Sequence, residues 1–534
     1  MFKTWMLDAL TRAFPLVPGG GEPAVRRQKQ SLYLAKGERG AVQLCYWFDG
    51  VEHREVDVRI TAPAGLKVTA RRVGCVPMTH HNTQTPLEDL DGVGHIPGLV
   101  PDVLWPDTAF KASPNMLNAY WLSVEVPSGM RAGSYEVTVE LLVKDQPAKA
   151  QQFTVNVAKL QAKPRQDFHV THWFYADSLL DWYKLEAWEE KFWPLFDKYV
   201  RHFVGMGNDT LYVPIFTPPL DGVKKPTQLL DVRRAGKGKY TFDWTNVDRW
   251  INQARKAGIK RFEWTHLFSQ WGVAHALRIY EKKGGKNVLL WEPETPATGK
   301  VYRQFLEQFL PELKKYLTRR KLMGCSMFHV SDEPHKEHLP AYQAAREMLR
   351  ELAPWMTVHD ALSNIEFAQY VDMPIPIVNT AVDFKKAGIP SWCYYCCVPR
   401  GRYVNRLLDT PLSKVQIQGW LFYRFGMKGF LHWGYNYWYI AKTTDLINPF
   451  LVTEGGRWPI WAHGDTTLVY PGPDGPISSI RAEIFAMALQ DFALLQTLGV
   501  NPDDRRLQVL ENFADFPRDH DWTQKFRRQL LKGK

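Results

Sequence analysis

The segment Phe328-His-Val-Ser-Asp-Glu-Pro-His335 sets two carboxylic acids, Asp332 and Glu333, side by side ahead of a proline. Neighbouring side chains on a regular strand point to opposite faces, so both acids can meet one ligand only where a strand ends. Pro334 favours that stop, because it cannot donate to a sheet ladder. Two carboxyl groups in an aromatic, partly dry pocket repel each other, which keeps one protonated and able to act as a general acid. The competing reading is structural: acidic residues also suit the N-terminus of a helix that would follow.

A second chemical signal is flat, amphipathic surface. The 534 residues include 21 Trp, 22 Tyr and 28 Phe, or 13% of the chain. That exceeds what cores alone commonly need, and such an excess lines sites for sugar rings or bases.

The elements that must position these groups come in two textures. Residues 1–24 read as an N-terminal tail. From 25 to 160 short strand-like runs alternate with turn signals, and no long helix interrupts them, which predicts an antiparallel β-sandwich. After a short linker the pattern changes. Apolar runs at 168–175, 210–217, 261–268, 327–333, 357–363, 374–380, 391–397 and 429–438 alternate with amphipathic helical stretches. Eight such strands predict a (β/α)8 TIM barrel over residues 161–498, followed by a charged helical tail at 499–534. The roughly 40 residues from Trp438 to Ile477 would form a long eighth loop carrying Trp458, Trp461 and Tyr470, and loops of that length commonly carry function.

In such barrels the chemistry sits at the C-terminal strand ends. His172, Trp173, His266, Asp332, Glu333, Asp360, Asn379, Tyr394, Tyr395 and the run His432 to Trp438 would converge there. Of these, His172, His266 and Asp360 are the weaker candidates, because a lone histidine near a strand end commonly serves the core.

Net charge is +11. The basic residues are spread, as at Arg319 to Lys321 and Arg527-Arg528, and lack the aromatic interleaving of a nucleic-acid reader; a solvated mixed-charge surface is expected, with no nucleic-acid partner. Cys393-Tyr-Tyr-Cys396-Cys397 has C-x-x-C spacing without a second ligand pair, so neither a metal nor any other cofactor is expected. No apolar run approaches the roughly 20 residues of a membrane helix. Asp8 and Arg12 interrupt the first segment, so the expectation is a soluble, cytoplasmic protein. Nothing in the sequence speaks to oligomeric state.

Four ordered motifs carry a resemblance: Ser331-Asp-Glu-Pro334, the C-Y-Y-C-C-x-P-x-G-x-Y-x-N-R-x-x-D-x-P-L stretch at 393–412, G-W-L-F-Y-R-F-G-M-K-G-F-L-H-W-G-Y-N-Y-W at 419–438 and L-V-Y-P-G-P-D-G-P-I-S-S-I-R-A-E at 468–483. With Pro97-Gly-Leu-Val-Pro-Asp102, they make residues 25–500 resemble glycoside hydrolase family 123 and its wider relatives, grouped as a domain of unknown function numbered 4091. The resemblance implies a sandwich followed by a TIM barrel, a glycan substrate, and a retaining exo-β-N-acetylhexosaminidase, most simply a β-N-acetylgalactosaminidase. The nucleophile would be the sugar's own 2-acetamido oxygen, outside the usual two-carboxylate scheme. Asp332 would orient the acetamido group and Glu333 would serve as acid and then base. A tyrosine hydroxyl would hold the acetamido oxygen, with Tyr395 the first candidate and Tyr394 the second. Trp433, Tyr437 and Trp438 would wall the pocket, and His432 and Asn436 would bond sugar hydroxyls, with His172 and His266 as further lining. The alternatives are a glycosidase of the same scaffold with a different sugar or linkage, and a non-catalytic carbohydrate-binding protein.

Overall fold

The computed structural model describes residues 2–16, 23, 29–91, 96–218 and 226–532. The boundary placed between residues 24 and 25 falls outside them.

The first part of the chain is sheet-rich. It carries β1 (Lys3–Asp8), β2 (Gln30–Lys36), β3 (Arg39–Trp47), β4 (Arg54–Thr61), β5 (Lys67–Met78), β6 (Gly98–Trp105), β7 (Phe110–Ala112), β8 (Asn118–Glu125), β9 (Gly133–Val143) and β10 (Lys149–Gln161). One sheet runs β1-β3-β8-β5-β6 and the other β2-β10-β9-β4-β7. Period-two alternation gives β9 a buried face of Val137, Val139, Leu141 and Val143. These side chains share one core with Leu44 and Tyr46 of β3 and Leu122 of β8, across the layer. The pairings are antiparallel except β2 with β10, which run parallel; alternation fixes which face is buried, not strand direction. The segment 1–24, expected as a tail, contains β1, which pairs with β3 and buries Trp5, Met6 and Leu7.

The rest of the chain is mixed α/β. Its strands are β11 (His169–His172), β12 (Thr210–Val213), the hairpin of β13 (Asp231–Gly236) and β14 (Lys239–Asp243), β15 (Arg261–Trp264), the hairpin of β16 (Tyr280–Lys283) and β17 (Lys286–Leu289), β18 (Ser326–Met327), β19 (His359–Ala361), β20 (Met373–Ile375), β21 (Cys393–Tyr394), β22 (Gly429–His432), β23 (Val469–Pro471) and β24 (Pro476–Ser479). Parallel pairings join β12 to β15 and β15 to β18, β19 to β20, and β21 to β22 to β11. Parallel bridges Phe328–Val358 and Ile377–Tyr394 continue the series across the gaps. Asp209 N donates to Val170 O at 3.1 Å, linking β11 to the start of β12.

Amphipathic helices separate these strands. Lys300–Arg319 buries Tyr302, Phe305, Leu306, Phe309, Leu313 and Tyr316, a spacing of three and four that makes one apolar stripe. Thr245–Ala257 stops at Gly258, whose φ of +112° is open to glycine and ends the helix in the left-handed conformation. Asn379, expected at a strand end, lies in the first turn of the helix Val378–Lys386.

Several contacts tie the regions together, two of them through β6. The hairpin β23–β24 belongs to the first sheet, because β24 pairs with β6. The helix Ile480–Thr497 then buries Arg481 against Asp102 of β6, at 2.8 Å. The segment 499–534 holds the helix Trp522–Leu531, whose Arg527 is buried between Asp491 and Glu38. No helix among the described residues is long and apolar enough to cross a membrane.

Candidate active site

Strand β18 ends at Met327, and six residues later Glu333 adopts a φ of +46°. A left-handed conformation costs a non-glycine residue about 1–2 kcal/mol, and here it breaks the alternation that would send Asp332 and Glu333 to opposite faces. Surrounding backbone holds the turn: Glu333 N donates to Ala361 O and Trp271 N donates to Asp332 O, each at 3.0 Å. Both carboxyl groups therefore line one cleft, a cavity of about 100 Å³ walled by Trp173, Tyr175, Tyr394, Trp433 and Trp461, with Gln270, Cys396 and Cys397 completing its polar lining. That volume is well under the roughly 300 Å³ where sites for drug-sized ligands begin, so it suits a single small moiety rather than an extended chain.

Each acid has its own donor. Gln270 Nε2 donates to Asp332 Oδ2 at 2.8 Å, and Tyr394 OH donates to Glu333 Oε1 at 2.6 Å. Burial, and then the Glu333 carboxylate, push the Tyr394 phenol well above its ordinary range, so it remains a donor at neutral pH. The two acids thus differ in their partners and in exposure, since Asp332 is buried and Glu333 is half-buried.

Behind the cleft lies a buried charge relay. Glu263, on β15, accepts hydrogen bonds from Trp173 Nε1 and Thr171 Oγ1, both at 2.7 Å. His329 lies between two acids, with Nε2 2.9 Å from Glu263 and Nδ1 3.2 Å from Asp360. Burial alone would lower this imidazole, but hydrogen bonds and charge from Asp360 and Glu263 raise it to about 9, so it is a cation at neutral pH. Trp173, a wall of the cleft, is therefore oriented by an anion that is itself neutralised from behind.

Strand β22 and the loop after it supply a second support. His432 Nδ1 accepts from Arg406 Nη2 at 2.7 Å and from Gly434 N at 2.9 Å. Burial, followed by Arg406 and Arg481, holds His432 well below its usual range; the neutral ring then carries its proton on Nε2, 3.2 Å from Asp465. Asp465 also accepts from Trp433 Nε1 at 2.8 Å, and burial raises its carboxyl to about 6 against the opposing pull of Arg406.

The expected site residues thus divide. Asp332, Glu333, Tyr394 and Trp433 meet in the cleft. Tyr437 packs beside it, with ring centroids 5.2 Å from Trp433 and 5.5 Å from Trp461. Tyr395, placed ahead of Tyr394 on sequence, is turned away: its hydroxyl donates to Gln418 Oε1 at 2.8 Å inside the helix-packed core. The two tyrosines are consecutive, so the face that brings one to the cleft takes the other from it. Asn436 spends its amide on both backbone groups of Tyr175, each at 2.9 Å. Trp438 is buried among helix side chains and donates to Val469 O. His432 lies behind Trp433, as the support just described. His172 bonds Asn208 Oδ1 at 2.7 Å, while His266 stacks on His329 at 4.2 Å; both are fully buried and neither lines the cleft. Burial is also the main reason both rings are held well below the usual histidine range.

Sequence reasoning passed over Gln270, Glu263 and Asp465. A lone Glu inside the apolar run Arg261-Phe-Glu-Trp264 is a legible signal of a buried acid with a purpose. Gln270 and Asp465 lie in loops, where nothing in composition distinguishes them.

A model of the family described as glycoside hydrolase 123, catalytic domain, matches residues 173–498, more than half of the chain. Among solved structures, a family 123 glycoside hydrolase from Clostridium perfringens, studied for glycolipid glycan hydrolysis, aligns over 100% of this chain and 98% of its own with a TM-score of 0.78 at 13% identity. That likeness is one of fold. A Bacteroides ovatus family 5 xyloglucanase aligns over 88% of this chain and 99% of its own at 9% identity, with a TM-score of only 0.30. No match is found among curated proteins. With the catalytic-domain model spanning the strands that build the cleft, the chain belongs to glycoside hydrolase family 123.

Proposed function

We propose that this glycoside hydrolase is a retaining exo-β-N-acetylhexosaminidase, with β-linked N-acetylgalactosamine as its first-choice sugar, and that the substrate's 2-acetamido group is the nucleophile. The observation that carries the reading is the shared cleft of Asp332 and Glu333, each held by a separate donor. Asp332, oriented by Gln270, accepts the acetamido N–H and turns its carbonyl oxygen toward the anomeric carbon. Glu333 protonates the departing glycosidic oxygen as that carbonyl attacks, giving an oxazolinium-like intermediate. The same carboxylate then takes a proton from water, which opens the intermediate with net retention. An internal nucleophile removes the need for a third carboxylate, and the reacting atoms start within one bound sugar. Trp173, Trp433 and Trp461 offer apolar faces for the ring, and the small cavity favours a terminal sugar. Tyr394 takes the tyrosine role, through the hydroxyl that already reaches Glu333.

The scaffold reading that goes with this activity is a (β/α)8 barrel over residues 161–498, with β11, β12, β15, β18, β19, β20, β21 and β22 as its staves. Residues 25–160 then form the body of a sandwich domain, whose first sheet also takes in β1 and the β23–β24 hairpin, and 499–534 a helical tail.

The test is hydrolysis of aryl glycosides with and without a 2-acetamido group, together with a glycolipid glycan, by wild type, Asp332→Asn and Glu333→Gln. Turnover is expected only of 2-acetamido sugars, with each variant reduced about 10²- to 10⁴-fold. Equal turnover of a 2-hydroxy sugar would overturn substrate assistance.

A further inference from the structure

Two thiols share the cleft with the catalytic acids. Cys396 and Cys397 follow β21, both are half-buried, and both line the cavity that holds Asp332 and Glu333. Their sulfur atoms are 4.0 Å apart, and both are free thiols. The backbone around them is fastened at several points. Cys396 N donates to Val398 O at 2.9 Å, Asn405 Nδ2 donates to Cys396 O at 2.9 Å, and Arg400 Nε donates to Cys397 O at 2.6 Å. The mechanism above uses neither thiol. Cys393, two residues before Tyr395, is by contrast buried in the core and out of reach of a solute.

We propose that Cys396 and Cys397 form a vicinal dithiol modification site, through which a low-molecular-weight disulfide reversibly closes the cleft. The Cys397 thiolate, its proton lost to solvent, attacks one sulfur of the small disulfide and expels a thiolate, leaving a mixed disulfide on Cys397. Cys396 then loses its proton and attacks the Cys397 sulfur, expelling the second thiolate. Two protein thiols are oxidised to one disulfide, and the small disulfide is reduced to two thiols; the two protons taken from the cysteines end on the leaving thiolates. The hydrogen bond to Cys397, burial and then the nearby acids push the Cys396 thiol well above its ordinary range, and the same disulfide results whichever of the two sulfurs attacks first.

Covalent geometry makes the product labile. Adjacent Cα atoms are held about 3.8 Å apart, short of the roughly 4.4–6.8 Å that unstrained disulfides span. Strained disulfides are the readily reduced ones. Pulling the sulfurs from 4.0 Å to bonding distance moves side chains that line the same small cavity as Glu333 and Tyr394, and the cavity has little room to absorb that shift.

The effect on activity rests on the glycosidase reading; the thiol chemistry does not. The experiment treats wild type, Cys396→Ser and Cys397→Ser with oxidised glutathione, alkylates the remaining thiols after denaturation, and reads the mass of the peptide containing residues 393–400. Wild type is expected to yield a peptide lighter by two hydrogens with neither Cys396 nor Cys397 alkylated, restored by a dithiol reductant. Each serine variant is expected to stop at a mixed disulfide or remain free. Against each protein's own reduced rate, wild type is expected to lose about tenfold or more in aryl glycoside turnover and to recover on reduction. Cys396→Ser, which carries at most a mixed disulfide on Cys397, separates ring closure from simple capping. A wild-type peptide with both thiols still alkylated would overturn the site. An oxidised peptide with unchanged turnover would overturn its control of the cleft. If no glycoside is hydrolysed, the catalytic reading fails, while the dithiol site is still decided by the peptide mass.

Discussion

Replacing His329 with Gln tests the buried relay behind Trp173. The imidazole lies 2.9 Å from Glu263 and 3.2 Å from Asp360, with all three groups buried. Raising a histidine from 6.5 to about 9 corresponds to roughly 3 kcal/mol in favour of the protonated folded state. Gln cannot supply the cation, so two carboxylates remain in the interior without it, and breaking a buried charge pair typically costs about 3–5 kcal/mol. Because the folded value lies above the unfolded one, the stabilisation is complete below pH 6.5 and is lost as pH rises through about 9. The gap in thermal midpoint between wild type and His329→Gln is thus expected to be several degrees near pH 6 and to shrink toward pH 10, with both proteins scanned at one rate; roughly 2–4 °C per kcal/mol applies to domains of 150–250 residues, and less to larger chains. Using the difference between two proteins cancels other groups that titrate in this window, such as Lys414, which burial brings down to about 8. A gap that stays constant from about pH 6 to pH 10 would show that His329 is not the cation bridging these acids, and the account of how Trp173 is oriented would fall with it.

Other substitutions separate chemistry from packing. Tyr394→Phe removes the hydroxyl that bonds Glu333, so kcat is expected to fall about 10- to 100-fold with a smaller change in KM. Tyr395→Phe removes a buried bond to Gln418 and is expected to lower stability by about 1–2 kcal/mol while leaving kcat within a few-fold; a larger kcat loss at Tyr395 than at Tyr394 would reverse the assignment. Asp102→Asn unpairs Arg481, which also donates to the carbonyls of Arg406, Gly464 and Thr467. A loss of about 3–5 kcal/mol is expected, read by thermal unfolding.

The difference between what was legible and what was not follows from the range of each signal. Hydrophobic period is local, and its apolar runs overlap the short parallel strands β11, β12, β15, β18, β19, β20, β21 and β22; yet β18 stops at Met327, so Asp332-Glu333-Pro334 lies in the turn beyond the strand rather than at its end. Pairing partners are not local: β1 in the expected tail, the parallel joining of β2 to β10, and the transfer of β23 and β24 to the first sheet all depend on contacts that the short segments cannot specify alone.

Facing is the intermediate case, and it decided the site. Once the Ile377–Tyr394 bridge and the pairing of Tyr394 with Leu431 fix the register of β21, Tyr394 and Tyr395 must diverge, and Leu431 joins Tyr394 at the cleft while Phe430 and His432 pack near Tyr395. The polar residues gathered at strand ends and in the loops beside them fall into two sets. One set, Asp332, Glu333, Gln270 and Tyr394, lines the cleft. The other, Glu263, His329, Asp360, His432 and Asp465, holds the tryptophans or the acids that hold them. Every indole that walls the cleft from a strand end is anchored by a buried carboxylate: Trp173 by Glu263 and Trp433 by Asp465. An indole N–H bonded to a buried anion cannot rotate toward a ligand hydroxyl, so these rings can contribute only their faces. Under the proposed function, polar recognition of the sugar therefore falls to Asp332, Glu333, Tyr394 and Gln270. A Trp433→Phe substitution should accordingly cost binding in proportion to lost ring face while sparing hydroxyl discrimination; a selective loss of discrimination between sugar epimers in that variant would contradict this division of labour.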